Sequence, residues 1–195
     1  MIIKLELKID IQKLISYLEF VKKTYPPFMK KNGPWGGWSI TSSNGEVHDG
    51  WQAGEKINDL LTTEQEKAKI KSFFSITKFD RPTPIYTNEI EELLKLINNS
   101  IPNMKISRVR IAILKPHLEE TAYWHKDGEA QGDEKVFRLH IPIITNEQCI
   151  FEYSTGKHHL IADGSIYLID ISKQHRVINS SNENRFHLIA DVKKI

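Results

Sequence analysis

Phe137-Arg138-Leu139-His140-Ile141-Pro142-Ile143 alternates apolar and polar without a break. Along an extended backbone successive side chains point to opposite faces. One face therefore carries Phe137, Leu139, Ile141 and Ile143, and the other carries Arg138, His140 and Pro142. The apolar face needs a layer packed on it, so the strand belongs to a sheet with a covered side. The polar face looks either to solvent or into a polar barrel interior, and this strand alone does not separate the two.

The same texture extends in both directions from about residue 105. Short runs follow one another: Val109 to Leu114, Val136 to Ile144, Cys149 to Tyr153, His159 to Ala162, Ile166 to Ile171, Arg176 to Ile178 and Phe186 to Val192. Ser154-Thr155-Gly156, Asp163-Gly164 and Asn179-Ser180-Ser181-Asn182 supply turns between them. Several short strands at this spacing predict a sandwich or barrel, with jelly rolls and cupins among the options.

The first half has a different period. Ile3, Leu5 and Leu7 mark a strand over 2–8, and Asp10 can cap a helix over about 11–23 with Ile11, Leu14, Ile15, Leu18 and Val21 on one face. Further helices are expected near 63–74, where Thr63 and Glu66 have capping-box spacing, and over about 88–98. Residues 25–52, rich in Pro and Gly, form a loop or hairpin carrying Trp35, Trp38 and Trp51, while Arg81-Pro82-Thr83-Pro84 is expected to be a loop. The tryptophans either plug a small core or line a pocket from the substrate side. The expected fold class is thus α+β, mainly β, with N-terminal helices packed outside a β core. All 195 residues are expected to form one domain, helical over 1–104 and β over 105–195.

Composition narrows the function classes. A net charge of +2, with lysines spread along the chain, gives no reason to expect a nucleic-acid or acidic-membrane partner. One cysteine excludes an internal disulfide, and Cys149, between apolar neighbours, reads as a small buried hydrophobe. The alternating, charged N-terminus is no secretory or transit segment, and no run approaches a membrane span, so a cytoplasmic location is expected.

The chemistry sits in Tyr123-Trp124-His125-Lys126-Asp127-Gly128. On extended backbone His125 and Asp127 share a face, and two histidines with one carboxylate make the facial triad of non-haem Fe(II) oxygenases. His175, after Leu168-Ile169-Asp170-Ile171, can supply the second histidine if tertiary pairing brings it near. In a chain with eight histidines that pattern is unremarkable by itself. The arginines change the weighing. Arg138, and Arg185 at the start of the last strand, offer planar, permanently charged forks suited to a dicarboxylate, and a buried Arg with no anionic partner would be costly.

From about Ile106 to Val192 the chain resembles the aspartyl/asparaginyl β-hydroxylase family of Fe(II)/2-oxoglutarate dioxygenases, which includes proline cis-hydroxylase-like enzymes. The resemblance is carried by Leu114-Lys115-Pro116, His125-Lys126-Asp127, Arg138-Leu139-His140-Ile141-Pro142, Thr145-Asn146, Gly164, His175-Arg176-Val177-Ile178-Asn179 and Arg185-Phe186-His187-Leu188. One departure is His117-Leu118-Glu119-Glu120-Thr121, which stands where the family has a Gly-rich turn and bears on the entrance of the site.

The resemblance implies a double-stranded β-helix of jelly-roll or cupin type. It implies Fe(II) on His125, Asp127 and His175, with 2-oxoglutarate and O2 as cosubstrates and ascorbate as a stimulant. Arg185 would pair with the distal carboxylate of 2-oxoglutarate, and Arg138 and His140 would contact the cosubstrate carboxylates or orient the site. No catalytic side chain beyond the metal centre is expected. His187 shares the face of Arg185 and is a further candidate for a supporting role, whereas His48, His117, His158 and His159 read as surface or turn residues.

The implied reaction hydroxylates an unactivated C–H of an amino acid, amino-acid derivative or small peptide and releases succinate and CO2. Trp124, Trp35, Trp38 and Arg110 are candidates for touching that substrate, although Arg108 and Arg110 alternate with Val109 and Ile111 as a solvated strand face would. The competing reading is a cupin-like binding or sensing module without turnover. A degenerate module would have lost a ligand or the distal arginine, and this chain has them all.

Overall fold

A computed structural model describes residues 1–31, 33–51, 78–118, 123–127 and 137–194. The helix expected over 63–74 lies outside them. Among the described residues twelve strands and two helices follow in chain order: β1 (Ile2–Lys8), α1 (Ile11–Thr24), β2 (Phe28–Met29), β3 (Trp35–Ser39), β4 (Thr41–Ser42), β5 (Arg81–Pro82), α2 (Asn88–Ser100), β6 (Met104–Leu114), β7 (Phe137–Ile144), β8 (Cys149–Tyr153), β9 (Gly156–His159), β10 (Ser165–Asp170), β11 (His175–Asn179) and β12 (Arg185–Lys194).

Both helices begin where a side-chain acceptor meets an orphan amide. Asp10 accepts from the Gln12 N–H, and Thr87 from the Ile90 N–H. The helix α1 buries Leu14, Leu18 and Val21 and ends at Tyr25, before Pro26-Pro27 denies the backbone its next donors. Ile90, Leu94 and Ile97 form the buried stripe of α2.

Seven strands form one antiparallel sheet in the order β1-β10-β7-β12-β6-β3-β2, and β11-β8-β9 form a second. The core divides accordingly. Leu139, Ile141 and Ile143 of β7 join Ile111 and Ile113 of β6 and Leu188 and Ala190 of β12 beneath both helices. The opposite face of the large sheet meets the small one through Leu114, Phe151, Tyr153, Tyr167, Ile169 and Val177. Two facing antiparallel sheets with helices on the outer face make a double-stranded β-helix, as the strand spacing and the resemblance implied. The polar face of β7 therefore looks into the barrel.

Two local expectations need correction. Arg81-Pro82 is not simply loop: it pairs with Thr41-Ser42 as a two-residue strand, where a missing proline donor is tolerated at an edge. The strand expected at His159–Ala162 sits earlier, at Gly156–His159, because its partners are Ile150 to Tyr153 of β8. Of the loop or hairpin expected over 25–52, the hairpin is found: β2 pairs antiparallel with β3, and β3 joins the large sheet with Trp35 to Ser39 registered against Leu114 to Arg110. Trp35 and Trp38 are three positions apart on that strand and so face opposite ways.

Candidate metal centre

His125 and His175 are far apart in sequence and adjacent in space for a simple reason. Their backbones form an isolated antiparallel bridge in which each N–H donates to the other's carbonyl at 2.9 Å. Directly opposed residues project side chains to the same face. The two rings lie 4.5 Å apart between centroids, and Phe151 of β8 stacks on His175 at 5.0 Å. Asp127, two residues along the extended chain from His125, completes the group.

One nitrogen from each histidine and one Asp127 oxygen all lie within 4.8 Å of one another. His125 Nε2 is 3.9 Å from Asp127 Oδ1, and His175 Nε2 is 3.6 Å from Asp127 Oδ2. The far side of each ring is already engaged. His125 Nδ1 lies 3.1 Å from the Tyr123 carbonyl, and His175 Nδ1 lies 2.9 Å from the Lys173 carbonyl. A carbonyl can only accept, so Nδ1 carries a proton in both rings and Nε2 is the nitrogen each ring turns toward the carboxylate and a metal. Burial pushes the His175 pKa down, which favours the neutral ring a metal requires. Burial alone would raise the Asp127 pKa, but the charge of Arg138 above all holds it below the usual carboxylate range. Two imidazoles that converge through Nε2 and one ionised carboxylate, pre-oriented by their neighbours, fit a first-row divalent metal.

Arg138 supports the carboxylate. Its Nη1 donates to Asp127 Oδ2 at 2.8 Å, and its Nε donates to Asp191 Oδ1 at 3.0 Å. Sequence reasoning missed Asp191. It receives Arg110 at 3.1 Å and Arg108 at 3.4 Å as well, and these three cations keep its carboxyl well below the usual range against the opposing effect of burial. The signal was present in the alternation Arg185, His187, Ile189, Asp191, which puts all four on one face of β12.

Arg108 and Arg110 are not on a solvated face. Both are buried, Arg108 stacking over Phe79 and Arg110 over Trp51, and both reach Asp191. A bulge lies at this point of β6. The β6–β12 register slips between Ile189 and Asp191, and Arg108 adopts a positive φ of 48°.

Deeper in the barrel lies Arg185, 3% exposed. Its Nε has no hydrogen-bond partner, its guanidinium lies 5.7 Å from the Trp35 ring, and no carboxylate pairs with it among the described residues. Burial brings its pKa down to about 10, so it keeps its charge at neutral pH. His140 and His187 share this interior, both buried, with Nδ1 atoms 3.3 Å apart.

The four substrate candidates separate. Trp124 is 39% exposed beside the two ligands, over Arg176 at 5.0 Å. Trp35 is half-buried against the inter-sheet core. Trp38, however, is 1% exposed in the core under the helices, its Nε1 donating to the Tyr25 carbonyl, so it is a packing residue and not a pocket wall. Arg110 is bonded to Asp191. Of the remaining histidines, His117 occupies a turn with φ 58°, and His48 meets the Pro26 carbonyl at 2.9 Å. His159 Nε2 is buried rather than at the surface.

A double-stranded β-helix with two histidines and a carboxylate converging inside it defines the class of non-haem iron oxygenases. A model of the aspartyl/asparaginyl β-hydroxylase family matches residues 46–194, and the chain belongs to that family of 2-oxoglutarate-dependent hydroxylases. An oxidoreductase of the 2OG-Fe(II) oxygenase family from Burkholderia pseudomallei is similar in structure at 14% identity, covering 92% of this chain and 77% of that one with a TM-score of 0.46. The viral collagen prolyl hydroxylase of Paramecium Bursaria Chlorella virus-1, solved with 2OG, is similar at 12% identity over 100% and 96% of the two chains, with a TM-score of 0.48. Both likenesses are remote. No curated protein sequence matches the chain. Among the described residues no helix is long and apolar enough to cross a membrane.

Proposed function

We propose that the chain hydroxylates a C–H bond of an amino acid, an amino-acid derivative or a short peptide, using Fe(II) and 2-oxoglutarate. The observation that carries this reading is the pairing of the His125, Asp127 and His175 cluster with a buried Arg185 that has no carboxylate partner among the described residues. An uncompensated buried guanidinium is expensive, so its persistence argues for an anionic ligand that supplies the missing charge.

His125, Asp127 and His175 would hold the iron. Bound there, Fe(II) would supply the activation of O2 that couples decarboxylation of 2-oxoglutarate, giving succinate and CO2, to hydroxylation of the substrate. Arg185 pairs its planar fork with the distal carboxylate of the cosubstrate, and Trp35 walls that end of the pocket. Arg138 serves the site through Asp127, fixing its orientation and holding it ionised. His140 has its Nδ1 occupied by His187, so its Nε2 is the nitrogen left to meet a cosubstrate carboxylate. Tyr123 and Trp124, exposed and immediately before His125 in the chain, suit an amino-acid-like ligand presented from solution.

The test is a turnover screen. Purified protein with Fe(II) and 2-oxoglutarate is offered free amino acids, N-substituted amino acids and short peptides, with succinate as the readout and ascorbate as a variable. Substrate-stimulated succinate release by one of these classes is the expected result. Absence of stimulation by all three, in protein that binds 2-oxoglutarate, refutes the substrate assignment.

A further inference from the structure

His140 and His187 form a pair whose protons are constrained by geometry. They lie on adjacent strands, His140 on β7 and His187 on β12, 6% and 1% exposed, with ring planes 89° apart and Nδ1 atoms 3.3 Å apart. Both are neutral: burial, then Arg185 and other neighbouring charges, pushes each pKa well below the ordinary value. Two neutral imidazoles meeting through Nδ1 share one proton, so one ring donates and the other accepts.

Only two arrangements exist. If His140 donates, its Nε2 shows a lone pair to the pocket and His187 must carry its own proton on Nε2. That atom is sealed in the core without any hydrogen-bond partner among the described residues. A buried N–H left without an acceptor is among the rarest defects in folded proteins. If His187 donates instead, its Nε2 keeps a bare lone pair, and His140 carries its proton on Nε2. An N–H there attracts a carboxylate, whereas a lone pair repels one.

We propose that His187 is a positioning residue that donates from Nδ1 to His140 Nδ1 and so fixes His140 in the tautomer that offers Nε2–H to the carboxylate of 2-oxoglutarate. This inference rests on the proposed contact between His140 and the cosubstrate. It gives His187 a task that packing alone does not require, since an apolar residue would fill the same space.

Nitrogen-15 correlation spectra of the imidazoles in the metal-free protein read the tautomers directly. The expected result is Nδ1–H for His187 and Nε2–H for His140, and the reverse assignment overturns the proposal. Calorimetry of 2-oxoglutarate on Mn(II)-loaded, oxygen-free protein gives the second readout. H187L should weaken binding about tenfold to a hundredfold, the range for one hydrogen bond to a charged group. H187Q, whose amide reaches the Nε2 position, should do the same, while H187N, whose amide nitrogen can stand at the Nδ1 position, should recover most of the affinity. Equal affinity in H187L and wild type overturns the proposal. The underlying reading fails separately: unchanged affinity in H140L, with the tautomers as expected, refutes the contact of His140 with the cosubstrate.

Discussion

Asp191→Asn is the perturbation that best separates this account from a reading of the barrel as simple apolar packing. The substitution keeps shape and removes one charge from a point where Arg138, Arg110 and Arg108 converge at 3.0, 3.1 and 3.4 Å. Removing one partner from a buried charge network costs about 3–5 kcal/mol, because the remaining cations lose compensation. For a chain of 195 residues that corresponds to a fall in Tm of about 10 °C. The carboxyl of Asp191 is held below its ordinary value in the fold, so its stabilisation is present above about pH 4 and fades as pH falls further toward the folded-state value. The variant should therefore lose stability at neutral pH and show a flatter acid limb. Arg138 also holds Asp127, so metal affinity should drop about tenfold or more. Urea denaturation from pH 2 to 8, with metal titration at pH 7, measures both. A variant within about 1 kcal/mol of wild type at neutral pH, with unchanged metal affinity, would refute the assignment of Asp191 as the hub of the cluster.

Arg185→Leu should weaken 2-oxoglutarate binding by about a hundredfold or more and spare metal affinity, while stability stays level or rises because an uncompensated buried charge is gone; calorimetry and thermal melts check the three together. Gly164→Ala should destabilise the protein by about 2 kcal/mol, since a Cβ would lie 2.1 Å from the Ile9 carbonyl oxygen and the residue has φ +85°; chemical denaturation reads this. Trp38→Ala should cost about 3–5 kcal/mol and leave the 2-oxoglutarate affinity of the folded fraction intact, as expected of a core residue. Trp35→Ala should reverse that balance, with a smaller loss of stability and a measurable loss of cosubstrate affinity.

What the chain discloses and what it hides follow from the range of each interaction. Period-two alternation in Phe137 to Ile143 identified the two faces of β7, because strand geometry is local. Which face met solvent depended on the covering layer, and that became visible only when Leu139, Ile141 and Ile143 packed beneath the helices. His125 and Asp127 were readable as a pair for the same local reason. Their meeting with His175 depends on a backbone bridge across the barrel, which no local pattern encodes; the family resemblance supplied it. Arg108 and Arg110 misled for an identifiable reason: alternation with Val109 and Ile111 looks the same whether the polar face meets water or a buried carboxylate. Their partner Asp191 lies on another strand, and the bulge at Arg108 beside them has no glycine to announce it. Trp35 and Trp38 looked equivalent as loop aromatics and parted once the segment proved to be a strand.

The most direct measurement is an anaerobic calorimetric titration of Fe(II), followed by 2-oxoglutarate, on wild type, H175A and D127A. The account predicts one Fe(II) per chain in wild type, then one 2-oxoglutarate bound much more tightly to the metal-loaded protein than to the metal-free one, with the metal step lost in both variants. Iron binding of equal strength in H175A and D127A, or metal-loaded wild type that does not bind 2-oxoglutarate, would contradict it.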